Sequence, residues 1–320
     1  MLTVFIATRN GAATLPRTLT ACQQLQAPRG GWKIVVVDNA SDDGSARVAG
    51  RFAGQLPLTV LHEPRRGKNR ALNAGLQVLE GDLAVFSDDD SLPASDWLVQ
   101  LRTAADAHPE CAIFGGRILP LWEAEPEEWL LQWVPHAPSF GLTDADLPEG
   151  PCEATKVWGP NMAIRAEWFH QGYRFDERLG PNGSPTYSMG GETEFTLRLT
   201  IAEGLTCWHC RGALVHHIIK SQAMTRDRIL KRAFRLGRCV HRESRQHAVA
   251  GRPHVPRNAS AICAGLAREL TNLASAYRAA DARRLFHARW QLNLWCGCLY
   301  EALSTRYRLQ RPALDIHPHA

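Results

Sequence analysis

No run of eighteen consecutive apolar residues occurs in the 320-residue chain, so no segment is expected to cross a bilayer as a helix. The opening MLTVFIAT carries neither a basic stretch nor a small-residue cleavage site, so no secretory leader is expected. Nine cysteines, an odd number at irregular spacing, do not make a disulfide framework; without an export signal they are expected as reduced thiols in a cytoplasmic protein. Cys207-Trp208-His209-Cys210 has no second C-x-x-C to complete a zinc site, and Cys296-Gly297-Cys298 reads most simply as packing. The spaced D-x-D-x-D-G loop of a calcium-binding hand is absent. So is a Gly-rich, Lys/Arg-bearing loop after the first strand: that place reads ATRNGAATLP, which counts against a nucleotidyltransferase. No aromatic-basic motif of a nucleic-acid module occurs, and no nucleic-acid partner is expected. Internal repeats and low-complexity tracts are lacking as well.

What is present begins with charge. The net charge of +5 conceals an asymmetry: residues 1–219 hold 18 Lys+Arg against 26 Asp+Glu, net −8, whereas 220–320 hold 19 against 6, net +13. Two parts of opposite electrostatic character therefore meet near Lys220. Hydrophobic residues make up 45% of the chain, enough for a sizeable core in one large α/β domain with an appendage.

The first ninety residues alternate between strand and helix patterns. LTVFIAT (2–8), KIVVVD (33–38), LTVLH (58–62) and DLAVFS (82–87) read as strands; 12–25, 44–53 and 67–79 read as helices between them. Short connections between such elements argue for a mainly parallel, Rossmann-like sheet flanked by helices. Ligands bind beyond the carboxyl ends of strands in sheets of this kind, which places Thr8-Arg9-Asn10, Asp38-Asn39 and Asp88-Asp89-Asp90 on one rim. Further on, DWLVQLRTAADA predicts a helix capped by Ser95 or Asp96, and CAIFGGRI (111–118) and MAIR (162–165) predict strands. Residues 119–155, rich in Trp, Pro and Glu, read as an elaborated loop or lid. ETEFTLRLTIAEG (192–204) predicts a helix closed by Gly204, followed by two short strands, LTCWH and ALVHHII. From 225 the pattern is helical over 225–247, 259–279 and 281–304, with GRPHVPRN (251–258) as a linker.

Three carboxylates in a row at a strand end repel one another unless something positive holds them. A solvated turn would carry them. So would a divalent cation shared between one or two carboxylates and the phosphates of a nucleotide, an arrangement that suits Mg2+ or Mn2+. Asp38 ends a neighbouring strand, where it can accept a hydrogen bond from a base or ribose; the DNASDDG segment also suits an Asx-turn with helix capping. Lys68 and Arg70 near a helix N-terminus suit an anionic partner.

The ordered set ATRNG, VVVDNASDDG, RGKNRALNAGL, VFSDDDSLPASDWL, WGPNMAIRAEWF, FDERLG, GGETEFTLRL and VHH, over about residues 1–240, resembles the family-2 glycosyltransferases of GT-A fold. The resemblance implies inverting transfer from a nucleotide-diphosphate sugar with Mg2+ or Mn2+. It implies a GT-A catalytic domain over 1–220, with a nucleotide-sugar half (1–118) and an acceptor half (119–220), and a basic helical C-terminal extension over 221–320. The first-strand tip (Thr8, Arg9, Asn10) and Asp38 would hold the nucleoside. Asp88 would face the ribose and Asp90 the metal, with Asp89 open to part of either role. Relatives place the base in a Glu-Asp or Glu-Glu pair before a helix ending in Arg-Leu. Here Gly191 stands at the first acid and Glu192 at the second, which makes Glu192 the candidate base and leaves Glu194 as the alternative. The two stand about 200° apart on a helix and cannot share a face. Relatives also carry a histidine after the next strand that reaches the metal or diphosphate; V-x-H spacing favours His217 over His216. Trp158 and Asn161 are expected on the sugar or acceptor side, with Trp158 also suited to the core.

The acceptor implied is a glycan or lipid-linked hydroxyl. The basic tail, with Trp290, Trp295 and Tyr300 among arginines, suits an anionic membrane surface at the inner face or a helical pair packed in the protein. The altered GGETE motif leaves room for a catalytically silent nucleotide- or carbohydrate-binding module.

Overall fold

The computed structural model describes residues 1–246 and 259–304. The chain forms two compact units, Met1–Thr225 and Arg226–Ala320. The expected linker 251–258 lies outside the described residues.

The first unit starts with β1 (Leu2–Thr8), α1 (Leu15–Cys22), β2 (Trp32–Asp38), α2 (Ser45–Gly50), β3 (Leu58–His62), α3 (Lys68–Gly75) and β4 (Leu83–Asp88). β1 pairs in parallel with β2 and β4, and β2 with β3. The central strands are apolar on both faces because helices cover both; Val4, Ile6, Ile34, Val36, Leu83 and Val85 lie in one buried cluster with Leu15, Leu19 and Trp97. Register decides what reaches the rim. Thr8 stands beside Asp38, and Ala7 beside Asp88, so three strand tips end level with one another.

Next come β5 (Ser91–Pro93), α4 (Trp97–Ala107), β6 (Cys111–Trp122), α5 (Glu128–Trp133), α6 (His136–Phe140), β7 (Gly150–Cys152), β8 (Met162–Arg165), α7 (Ala166–His170), α8 (Gly191–Glu203) and β9 (Thr206–Ile219). The sheet runs β3-β2-β1-β4-β8-β6-β9-β5, with β7 also on β9. β8 is antiparallel to both β4 and β6, whereas β6 and β9 are parallel. Asp96 stands at the N-cap of α4 without a side-chain capping bond, its carboxylate accepting instead from Gln100 at 3.0 Å, and Gly204 closes α8 at φ 66°.

Three expectations change here. The pair of short strands after α8 is one strand, β9, interrupted by a bulge: Cys210 pairs with Gly116 and Leu214 with Arg117, leaving 211–213 unpaired. Asn161, expected on the sugar or acceptor side, is fully buried and ties this bulge together. Its amide nitrogen donates to the carbonyls of Arg117 (3.0 Å) and Ala213 (2.8 Å), and its oxygen accepts from the Trp97 indole (2.8 Å). With both amide hydrogens donated, its oxygen on the indole and no surface exposed, this side chain serves the packing of the bulge. Gly116 makes room for it, since a Cβ there would lie 2.2 Å from the Asn161 nitrogen. The segment 119–155 is likewise not a loop throughout: β6 extends to Trp122, and α5, α6 and β7 follow. Its elements are too short for periodicity to show in sequence.

The second unit holds α9 (Arg226–Gln246), α10 (Ala259–Arg278) and α11 (Ala282–Leu303). α9 and α11 meet backbone to backbone. A Cβ on Gly297 would fall 2.0 Å from the Phe234 carbonyl oxygen, and one on Gly237 would fall 1.9 Å from that of Leu294. The Cys298 thiol donates to the Gly237 carbonyl at 3.2 Å, so the Cys-Gly-Cys stretch belongs to this crossing. Arg238 and Arg242 both pair with the buried Glu301. Trp290 is buried, and half-buried Trp295 packs on Gly265. Tyr300 is exposed beneath the Arg238 guanidinium. Among the described residues no helix is long and apolar enough to cross a membrane.

Candidate active site

A cleft of about 310 Å³ opens at the shared strand rim. Thr8, Arg9, Lys68 and the triplet Asp88-Asp89-Asp90 line it, joined by Pro181 and Gly183 from a segment to which the sequence pattern assigned nothing. The backbone turn after β4 sends the three acids to three different partners.

Asp88 accepts from the Lys68 ammonium at 2.6 Å. The same ammonium reaches Glu192 Oε1, also at 2.6 Å. Burial disfavours the charge on Lys68, but the two carboxylates outweigh it and hold its pKa above the ordinary lysine value. Asp89 turns back under the first-strand tip, where its Oδ2 accepts from the Thr8 hydroxyl and its carbonyl accepts from Thr18. Gly11 is required there, because a Cβ would lie 2.1 Å from Asp89 Oδ2. Asp90 faces His217, with Oδ1 3.3 Å from Nε2. The other imidazole nitrogen, Nδ1, is 2.8 Å from the Phe140 carbonyl. A carbonyl only accepts, so Nδ1 carries the proton and Nε2 is the nitrogen turned toward Asp90.

The electrostatics follow from these contacts. Burial pushes Asp90 up, but the His217 hydrogen bond and charge, then Lys220 and Lys68, outweigh it and bring its pKa below the usual aspartate value. Burial works against a charged His217, and Asp90 more than offsets that, raising its pKa. For Asp89, burial and the Asp90 charge push the pKa up to about 7 against the opposing Thr8 bond. The sign of the consequence is that of an acid whose folded pKa is raised. Below the unfolded value of about 3.9 the group is neutral in both states, and stability is lost as pH rises toward 7 and the buried carboxylate ionises. Asp89→Asn keeps an acceptor for Thr8 without that charge. In metal-free buffer at pH 8 it is expected to melt several degrees above wild type, a gain of about 2–4 kcal/mol, with the gap closing toward pH 4. Equal melting curves at both pH values would refute the buried-acid account.

At the tip of β2, Asp38 is nearly fully buried; its Oδ2 meets His62 Nδ1 at 3.0 Å, and its Oδ1 has no hydrogen-bond partner. A buried carboxylate oxygen left open is costly unless a ligand group donates to it. Asn10 sits at φ 54° and laces the loops together: its amide oxygen accepts from the Asp42 backbone, and its N–H donates to Ser41 Oγ. Asp43 accepts from the Ser45 N–H two residues on, the Asx-turn expected of the DNASDDG stretch, whereas Gly44 at the N-cap of α2 brings no side-chain capping bond. Arg9 lines the cleft, whereas Arg70 pairs with Glu177 at 3.4 Å.

The two acids of GGETE diverge. Glu194 is buried and accepts from Arg198 one turn along the helix at 2.8 Å. Glu192 points to Lys68 and rests against the WGPN turn: a Cβ on Gly159 would fall 2.5 Å from its Oε1. Half-buried Trp158 precedes that glycine. Gly191 packs on Asn69, whose nitrogen would be 2.5 Å from a Cβ, which leaves no room for an acid at that position. Sequence reasoning missed Lys220, whose charge acts on Asp89 and Asp90; its position three residues past His217 was the available signal. The Phe140 carbonyl gives no signal at all in a sequence.

Among the described residues no group of three or more His, Cys, Asp or Glu side chains is placed to hold a metal ion. Asp90 with the Nε2 of His217 is instead a two-donor set of the kind that suits a hard or borderline divalent cation whose remaining ligands come from phosphate oxygens and water. The residues present fit that use.

Comparison with known proteins matches these observations. The glycosyltransferase AglE of Haloferax volcanii is 30% identical over 99 residues, covering 30% of this chain and 33% of that one. The undecaprenyl-phosphate 4-deoxy-4-formamido-L-arabinose transferase of Serratia proteamaculans is 36% identical over 81 residues, 24% of each. The matches thus span a third or less of these relatives' length. Among solved structures, the mannosyltransferase PcManGT of Pyrobaculum calidifontis in complex with GDP-Man and Mn2+ superposes with a TM-score of 0.61 at 20% identity, covering 95% of this chain and 87% of that one. S. aureus TarS 1-349 in complex with UDP-GlcNAc gives 0.54 at 13% identity, with 90% of each chain covered. These likenesses establish the GT-A architecture. The model of glycosyl transferase family 2 matches residues 3–172, more than half the chain, and the protein belongs to that family.

Proposed function

We propose that the protein transfers a sugar with inversion from a nucleotide-diphosphate sugar to a hydroxyl of a glycan or lipid-linked acceptor. The observation that carries this reading is the convergence at one cleft of Asp88, Asp90, His217 and, through Lys68, Glu192. Asp38 Oδ1 and the first-strand tip would take the nucleoside. Asp90 and His217 would hold Mg2+ or Mn2+, whose chemistry there is neutralisation of charge on the departing diphosphate. Lys68 and Arg9 add fixed positive charge on the same side.

Glu192 is the base in this reading. It takes the proton of the acceptor hydroxyl as that oxygen bonds to the anomeric carbon, while the bond from that carbon to the diphosphate oxygen breaks and the nucleoside diphosphate leaves. Glu194 is committed to Arg198 and supports the helix. Trp158, beside the Glu192 turn, offers a ring face to the sugar or acceptor. Two supports come from the relatives: complexes with GDP-Man and UDP-GlcNAc for the donor, and a transferase named for undecaprenyl phosphate for a lipid-linked acceptor. The +13 charge of residues 220–320 suits an acceptor with phosphate or an anionic surface.

A thermal-shift panel of nucleoside diphosphates with Mn2+ tests the donor site. One of them is expected to raise the melting temperature, and the rise is expected to need the metal, since a ligand that binds only the folded state stabilises it. No shift with any of them removes the reading. Donor hydrolysis separates an enzyme from a silent binding module, which would bind and turn over nothing.

A further inference from the structure

We infer that Lys68 is shared between the donor site and the base: before donor binds, its ammonium holds Glu192 in an ion pair, and a bound diphosphate draws it away and frees the carboxylate. The inference rests on the proposed reading of the cleft as a nucleotide-sugar site and of Glu192 as base.

One cation serves two carboxylates. Lys68 Nζ lies 2.6 Å from both Asp88 Oδ1 and Glu192 Oε1, at the short end for a charge-assisted hydrogen bond. The three side chains are 19%, 22% and 18% exposed, so water screens the pairs only weakly. Glu192 belongs to α8 and Asp88 to β4, so Lys68 ties the strand rim to the start of α8.

The backbone of Lys68 is held by neighbouring groups. Its N–H donates to the Pro181 carbonyl at 2.9 Å, and the preceding Gly67 N–H donates to Asn39 Oδ1 at 2.7 Å. The start of α3 is therefore fixed, and the flexible four-carbon side chain is the part that can swing. Glu192 is backed by the Gly159 turn on the side where a Cβ would meet its Oε1 at 2.5 Å. Lys68 also lines the cleft itself. A diphosphate there brings at least two negative charges within its reach, and these compete with Glu192 for the ammonium.

The pairing has a chemical effect. A carboxylate paired with an ammonium accepts a proton reluctantly, because protonation would leave the buried Lys68 charge with one partner fewer. The base is thus quiet in the empty protein and becomes competent when the donor is in place. Lys68 acts here as a positioning residue, and donor binding precedes productive acceptor binding.

Zero-length cross-linking with a water-soluble carbodiimide tests this. The reagent condenses an amine and a carboxylate in contact to an amide and leaves as a urea. In nucleotide-free protein, peptide mapping by mass spectrometry is expected to find Lys68 joined to Glu192 as well as to Asp88. With UDP or GDP and Mn2+ at a concentration that saturates the thermal shift, the Lys68–Glu192 product is expected to be lost. The exposed Lys231–Asp227 pair, at 2.7 Å, serves as an internal reference that should not change. Glu192→Gln should remove the product and identify it. Absence of the Lys68–Glu192 product without nucleotide overturns the inference. So does its persistence, undiminished, with a nucleotide that does raise the melting temperature. If no nucleotide raises the melting temperature, the donor-site reading falls and the inference falls with it.

Discussion

Glu192→Gln is expected to lower turnover by about 10²–10⁴-fold, the range typical of a lost general base, with nucleoside diphosphate binding nearly unchanged. The amide keeps an oxygen facing Lys68, which retains Asp88 at 2.6 Å, so the donor side of the cleft stays in place. What the amide cannot do is accept the acceptor's proton. Glu194→Gln is the matched comparison. That side chain is buried against Arg198, which also donates to the Arg174 carbonyl at 2.7 Å. Its change is expected to lower the melting temperature far more than the rate per folded molecule, because it weakens a buried pair whose arginine remains charged. Rates measured with the donor identified by thermal shift decide between the two acids. Wild-type turnover in Glu192→Gln, or a collapse confined to Glu194→Gln, would reverse the assignment.

Gly297→Ala is expected to destabilise the helical unit by about 1–3 kcal/mol, the usual cost of forcing atoms into a packed contact. The obstruction is backbone: a Cβ would sit 2.0 Å from the Phe234 carbonyl oxygen and 3.1 Å from the Arg238 N–H nitrogen. No rotamer change relieves it, so α9 and α11 must separate and loosen the Arg238–Glu301 and Arg242–Glu301 pairs between them. Gly50→Ala is the reference, since a Cβ there meets nothing within 4 Å and the residue lies in a helix. That substitution is expected to be neutral or stabilising by up to about 1 kcal/mol. Denaturant melts followed by helical circular dichroism measure both. An unchanged midpoint for Gly297→Ala would show that the helices do not cross at these glycines.

The parallel half of the sheet was legible because β1, β2 and β4 are buried on both faces, so their sequences are unbroken apolar runs between turn signals. β9 was not legible as one strand. Arg211-Gly212 at its bulge looks like a turn, and the amide that holds the bulge, Asn161, is 50 residues away in sequence. The same long-range role explains why Asn161 was misplaced: beside Trp158 in a motif it looked like a ligand group, and only packing shows both ends of its amide already bound. Glu192 and Glu194 could be told to diverge by helical geometry, but not which of them met a cation from another element. Lys68 and Arg198 supply that difference. In the acidic triplet, the turn of Asp89 under Thr8 was not legible, since it depends on Gly11 leaving space.

The bond from His217 to the Phe140 carbonyl bears on how the segment carrying α5 and α6 could be exchanged. A chimera that imports this tryptophan-rich segment from another protein of the family also imports its backbone, and with it the oxygen that keeps the proton on Nδ1 and turns Nε2 toward Asp90. Phe140 ends α6 just before Gly141, at φ 67°, so even a one-residue change in insert length rotates that oxygen away. Grafts that keep residues 136–141 from this chain are expected to preserve the proton on His217 Nδ1 and the Nε2 contact with Asp90; grafts that discard them are expected to disturb both together.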